Sequence, residues 1–212
     1  MAGFKLAKLD ITHVRVLSSS ARVQDTARDL GVVIDSQLSL SAHVAAVCRS
    51  GYYQLRQLRQ AVRSLSEDAS KTLVQAFVSC RLDYCNSLFF GISEGLINRL
   101  QSVQNAAARL VTGTRRCDHI SPLLHQLHWL LVRQRVEFKV ATLVHQSLSG
   151  MSPPYLADDC CLVADAREWR LHSTASRTSI VTRTYSTFGD RAFSAAGPGL
   201  WNSLPSIAPE RR

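Results

Sequence analysis

Hydrophobic positions change their spacing along this chain, and each change marks an element. Residues 11–17, ITHVRVL, alternate apolar with polar side chains and read as a half-buried strand closed by a serine turn. LGVVID at 30–35 is a second short β-branched run. Two such strands bury too little to stand alone as a hairpin, and their open edges call for more sheet. From Leu40 to about Leu65 the period becomes helical, with Val44, Val47, Cys48, Gly51, Leu55, Leu58 and Val62 on one face. Arg49, Arg56, Arg59 and Arg63 gather on an adjoining face. Such a helix can pack along one side and present a cationic stripe along the other.

Ser66 reads as the N-cap of a second helix, with Glu67 and Asp68 in its first turn where carboxylates suit the helix dipole. Its apolar stripe is expected at Leu73, Ala76, Phe77, Cys80 and Tyr84, and Phe-Phe-Gly-Ile at 89–92 reads as its stop. Ser93 opens a third helix with stripe Leu96, Leu100, Val103, Ala107 and Leu110, where three alanines at 106–108 permit a close helix neighbour. Ser121-Pro122 is expected to start a short helix through Leu127 as N-cap and N1. Residues 131–150 give a fourth long helix, burying Val132, Val136, Phe138, Leu143, Val144 and Leu148, with Gly150 as its stop. Beyond Met151 the pattern fades into Ser/Thr-rich stretches. There the expectation is loosely ordered loops with short helices, Trp201 and Leu204 anchoring a last turn.

Charge sharpens this picture. The 212 residues carry 25 Lys and Arg against 16 Asp and Glu, a formal net charge of +9. Lysines stand only at 5, 8, 71 and 139, so the excess is arginine, whose planar fork of donors matches phosphate. A polyanionic partner is the natural reading. The six cysteines form no Cys-x-x-Cys pair and no regular framework, and no apolar leader precedes them. They are expected to be free thiols packed as small hydrophobes, in an intracellular, reducing compartment, nucleus or cytoplasm. No run reaches the ~20 apolar residues a bilayer crossing needs, so no membrane partner is expected.

Catalytic chemistry is not visible. There is no Gly-rich phosphate loop, His-Glu-x-x-His or nucleophile elbow. Cys117, His119, His125 and His128 have the right ligand atoms for a metal, but their spacing fits no zinc pattern, and packed histidines are the expectation. Two-metal phosphoryl transfer needs aspartates on neighbouring strands, whereas Asp10 and Asp35 make no clamp and Asp83 is expected to ion-pair with a nearby arginine. No catalytic residue and no metal ligand is assigned.

The ordered blocks LGVVIDSQLSLSAHV, CRSGYYQLRQL, LVQAFVSCRLDYCNSLFFGI, LQSVQNAAARLVTG, DHISPLLHQLHWLLVRQRVEFKVATLVHQSLSG, SPPYL and YSTFGDRAFSAAGPGLWNSLP carry a resemblance. Over roughly residues 20–208 the chain resembles the C-terminal part of the reverse transcriptase of LINE-type, non-LTR retrotransposons, nearest the CR1/L2-like group. The resemblance implies that LGVVID is the hairpin closing a polymerase palm and that the helices from Ser41 are the thumb and the region after it. The family's Phe-Ala-Asp-Asp box and earlier catalytic aspartate are not in this sequence. Polymerase activity, with its Mg2+, would then belong to a longer product that also carries the palm and fingers.

The expected fold is mainly α. Residues 1–39 would form a β-hairpin remnant of a palm, 40–150 a helical thumb-like bundle, and 151–212 a poorly ordered tail. The expected function is non-catalytic binding of an RNA/DNA primer–template duplex through its phosphates, without a cofactor. The contacts would be Arg49, Arg56, Arg59 and Arg63, with Arg115 and Arg116 as a second patch. Arg133 and Arg135 could serve either the nucleic acid or the fold. Within CRLDYCN, Leu82 and Tyr84 are expected to pack, Arg81 to pair with Asp83, and Asn86 to cap the turn. The alternatives are part of an active polymerase in a longer reading frame, a helical protein-interaction domain, or a relic without function.

Overall fold

The computed structural model describes residues 13–166 and 178–205. Within them the chain is mainly α-helical, preceded by two small antiparallel sheets. The two strand-like runs of the sequence do not pair with each other. β1 (His13–Val16) pairs with β2 (Ser19–Arg22) across a turn at Leu17-Ser18, so Ser18 turns as expected while Ser19 and Ser20 extend into a partner strand. β3 (Thr26–Asp29) pairs with β4 (Val32–Asp35) across a two-residue turn, Leu30-Gly31. Both turn residues have positive φ, 44° and 85°, the mirror-image turn whose twist matches that of flanking strands. Leu30 therefore lies at the tip and not in the strand. The Tyr84 hydroxyl donates to its carbonyl at 2.6 Å, holding this hairpin against the helices.

Asp35 ends β4 and organises the entry to α1 (Ser41–Val62). Its carboxylate accepts from the Ser39 amide at 2.8 Å and the Ser39 hydroxyl at 3.1 Å. Slight burial opposes its ionisation, but those bonds and the amides of Leu40 and Gln37 prevail and hold its pKa below the usual carboxylate value. A lone aspartate after a strand is thus a turn organiser here.

α2 (Glu67–Val74) starts at Ser66, whose hydroxyl accepts from the Ala69 amide as expected. It continues through a π-helical turn, Gln75–Ser79, into α3 (Cys80–Asp83). The π turn moves the buried face. Four residues advance an α-helix about 40° beyond a full turn, so a spacing of four drifts off a stripe. The wider π turn absorbs that drift and brings Ser70, Val74, Val78 and Leu82 into the core. The expected stripe members Ala76, Phe77, Cys80 and Tyr84 are exposed instead. A 3-10 turn, Asn86–Phe89, follows Cys85, which has φ 51°. Asn86 is buried inside that turn and does not cap it, and the helix has ended before Phe-Phe-Gly-Ile is reached.

α4 (Glu94–Thr112) is the central helix, packed against α1, α2, α5 and α6. It buries Ile97, Leu100, Val103, Gln104, Ala107, Ala108 and Val111 and ends at Gly113 with φ 67°. Gly51 of α1 lies against it so closely that a Cβ there would stand 2.7 Å from Val103 Cγ1. The buried Gln104 donates to the Leu130 carbonyl at 2.8 Å and accepts from Gln101, which itself accepts from the Val132 amide at 2.9 Å. That last bond satisfies an otherwise unpaired amide at the start of α6 (Val132–Leu148).

α5 (Ile120–Gln126) begins two residues before the expected Pro122, with His119 as N-cap. Proline is tolerated anywhere in a first turn, because those amides have no intrahelical partner to lose. α6 buries Val132, Val136, Val140 and Val144, whereas Phe138, two residues from Val136 and on the opposite side, is exposed. Of the cysteines, all six free, Cys48 and Cys160 are buried, Cys85 is half-buried, and Cys80, Cys117 and Cys161 are exposed, so the packed-thiol expectation holds for only part of the set.

The described part of the tail carries short helices, as expected, and the last of them is packed on the bundle. After α7 (Pro154–Ala157) and α8 (Val163–Ala166), residues 178–205 end in an eleven-residue helix, α9 (Phe193–Ser203), packed on α6. Its contact face is Ala195, Ala196, Gly197 and Pro198, small enough that a Cβ on Gly197 would stand 2.9 Å from Val144. Arg191 donates to the carbonyls of Phe90 and Leu38, and the Asn202 amide pairs with both backbone groups of Ser179. Trp201 stands 6.3 Å from His145, while Leu204 is exposed. Small residues pack at short range without producing a hydrophobic period, which is why the sequence pattern fades there.

Candidate nucleic-acid interface

Arg49, Arg56, Arg59 and Arg63 all project from the exposed side of α1 while Val44, Cys48, Gly51 and Leu55 are buried on the other. At 1.5 Å per residue the stripe is about 21 Å long. No acidic residue occurs between Asp35 and Glu67, and none of the four arginines forms an ion pair with a described residue. Unrelieved positive charge along one helix face is suited to a polyanion.

No family model matches the chain, and no curated protein or solved structure does either. The site therefore stands on its own geometry.

Tyr52 was not among the residues singled out from the sequence, yet it stands in the stripe. Ala45, Arg49, Tyr52, Arg56, Arg59 and Arg63 follow one another at alternating spacings of four and three. The ring is about two-fifths exposed. Burial, together with neighbouring Cys48, pushes the phenol pKa up, and Arg116 acts in the opposite direction. The phenol thus stays neutral at physiological pH. Arg116 lies in the connection after α4 and is exposed.

Arg99 is the other residue the sequence reading missed. It comes from α4 and shares with Arg49 a cleft of about 500 Å³ that is also lined by Ala45, Cys48, Tyr52 and Ser102. Cys48 at this cleft is a buried thiol whose pKa is raised by burial, with Arg99 opposing. Nothing in the one-dimensional pattern joins Arg99 to Arg49. Only the packing of α1 on α4 brings them together.

The remaining candidates divide. Arg115 is exposed, and its backbone amide donates to the Asp118 carboxylate, so an acid tempers that end of the patch. Arg133 is paired with Glu94 and Arg135 with Asp83, so both arginines serve contacts within the fold. Asp83 pairs across to α6 and not with Arg81, whose Nε donates to the Phe77 carbonyl. Burial raises the Asp83 pKa more than Arg135 lowers it, so the pair compensates a desolvation cost without removing it. Among the described residues, no group of three His, Cys, Asp or Glu side chains could share a metal ion, and no helix is long and apolar enough to cross a membrane.

Proposed function

We propose that this chain is a non-catalytic, nucleic-acid-binding segment of the reverse-transcriptase type it resembles, holding an RNA/DNA primer–template duplex by its phosphates. The observation that carries the reading is the exposed stripe Arg49, Arg56, Arg59 and Arg63, none of them ion-paired with a described acid, backed by a packed apolar face. Guanidinium contacts of this kind position a backbone without reading bases. Any polymerisation, and the Mg2+ it needs, would belong to a longer product that supplies a palm and fingers.

The test is binding to a labelled RNA/DNA hybrid across a salt series. Replacing all four arginines with alanine is expected to weaken binding and reduce the slope of log K against log salt by roughly three, with helix content unchanged by circular dichroism. An unaltered slope would remove the assignment. A second reading, protein interaction, is favoured by an apolar groove between α6 and α9, where Phe138, Leu130 and Leu204 are exposed. Binding of a protein partner that is insensitive to those arginines would support it.

A further inference from the structure

We infer that the cleft between α1 and α4 seats an unpaired nucleotide of a single strand, its base against Tyr52 and its phosphate on Arg49 and Arg99. The inference rests on the duplex-binding reading and extends it from phosphates alone to a duplex bearing a single-stranded end.

Three features point there. First, the cleft joins arginines from two helices, Arg49 and Arg99, and no acidic side chain lines it. Second, its other lining residues, Ala45, Cys48 and Ser102, are small, so the space of about 500 Å³ beside the Tyr52 ring accommodates a flat base and its sugar. Third, the aromatic wall is continuous with the arginine stripe. Tyr52 lies one helical turn from both Arg49 and Arg56, so a strand tracking the stripe would pass over the ring. Every base has a π face, so an exposed aromatic ring between guanidinium groups accepts unpaired nucleotides of any sequence. A base inside a duplex is already stacked on its neighbours and cannot use the ring. The cleft therefore discriminates unpaired from paired nucleotides, where the stripe does not.

The experiment compares three labelled RNA/DNA hybrids on the full chain: one blunt, one with a three-nucleotide single-stranded tail, and one whose tail is abasic. The tailed hybrid is expected to bind about tenfold tighter than the abasic-tailed one, which carries the same phosphates. Tyr52→Ala should erase that difference, while Tyr52→Phe should keep it. Arg99→Ala should weaken tailed binding more than blunt binding. Equal affinity for natural and abasic tails, or an advantage that survives Tyr52→Ala, would overturn the inference while blunt, salt-dependent binding still stood. Failure to bind any of the three would overturn the duplex reading, and this inference with it.

Discussion

His43 shows how a single side chain sets the solution behaviour of this fold. It is buried at the start of α1, stacked on Phe89 with ring centroids 5.7 Å apart, and its Nδ1 accepts from the Val33 amide at 3.4 Å. That bond leaves the proton on Nε2, which has no hydrogen-bond partner. Burial lowers its pKa from 6.5, so the folded imidazole takes up its proton at a lower pH than the unfolded chain does. The unfolded state then binds more protons as pH falls below 6.5, and stability declines with a slope of at most about 1.4 kcal/mol per pH unit. Asp83, whose pKa is raised, acts in the opposite sense lower in the acid range. The measurement is denaturant unfolding at a series of pH values, in which His43→Leu should flatten the decline just below pH 6.5. An equal slope in both proteins would assign the acid sensitivity elsewhere.

At the scale of elements, the α1–α4 contact does most to define the molecule. A glycine inside a helix ordinarily costs about 1 kcal/mol relative to alanine, so Gly51→Ala would stabilise an isolated α1. Here the added Cβ would meet Val103, a fully buried β-branched side chain with few rotamers to yield. Overpacking costs about 1–3 kcal/mol, so Gly51→Ala is expected to destabilise the protein by a net ~1 kcal/mol, read as a lower denaturation midpoint at unchanged m-value. A gain in stability would mean that the two helices do not meet as closely as 2.7 Å implies. The same contact sets the cleft, because it fixes how near Arg99 comes to Arg49. On α4, Gln101 and Gln104 perform the corresponding task toward α6, adding hydrogen bonds to backbone at its start. Their pattern in the sequence is ordinary for a solvated helix face, and only Gln104's burial reveals the role.

At the scale of the whole molecule, Arg191 joins segments far apart in sequence. It donates to Phe90, 101 residues away, and to Leu38, 153 away, and its side chain covers Gly91. Removing those bonds should loosen residues 178–205 without unfolding α1 and α4, since local and global openings differ in free energy. Arg191→Ala is therefore expected to speed amide hydrogen exchange in α9 while leaving exchange in α4 unchanged. Uniform acceleration would show that α9 is part of the cooperative core. The long helices α1, α4 and α6, the Ser66 cap and the arginine stripe follow from the sequence alone, because helix periodicity, capping and charge are local properties. The packing of α9, the partner of Asp83 and the joining of Arg99 to the stripe were decided by tertiary structure. These depend on which residues distant in sequence meet at short range, and small residues and paired charges carry that information without leaving a hydrophobic period.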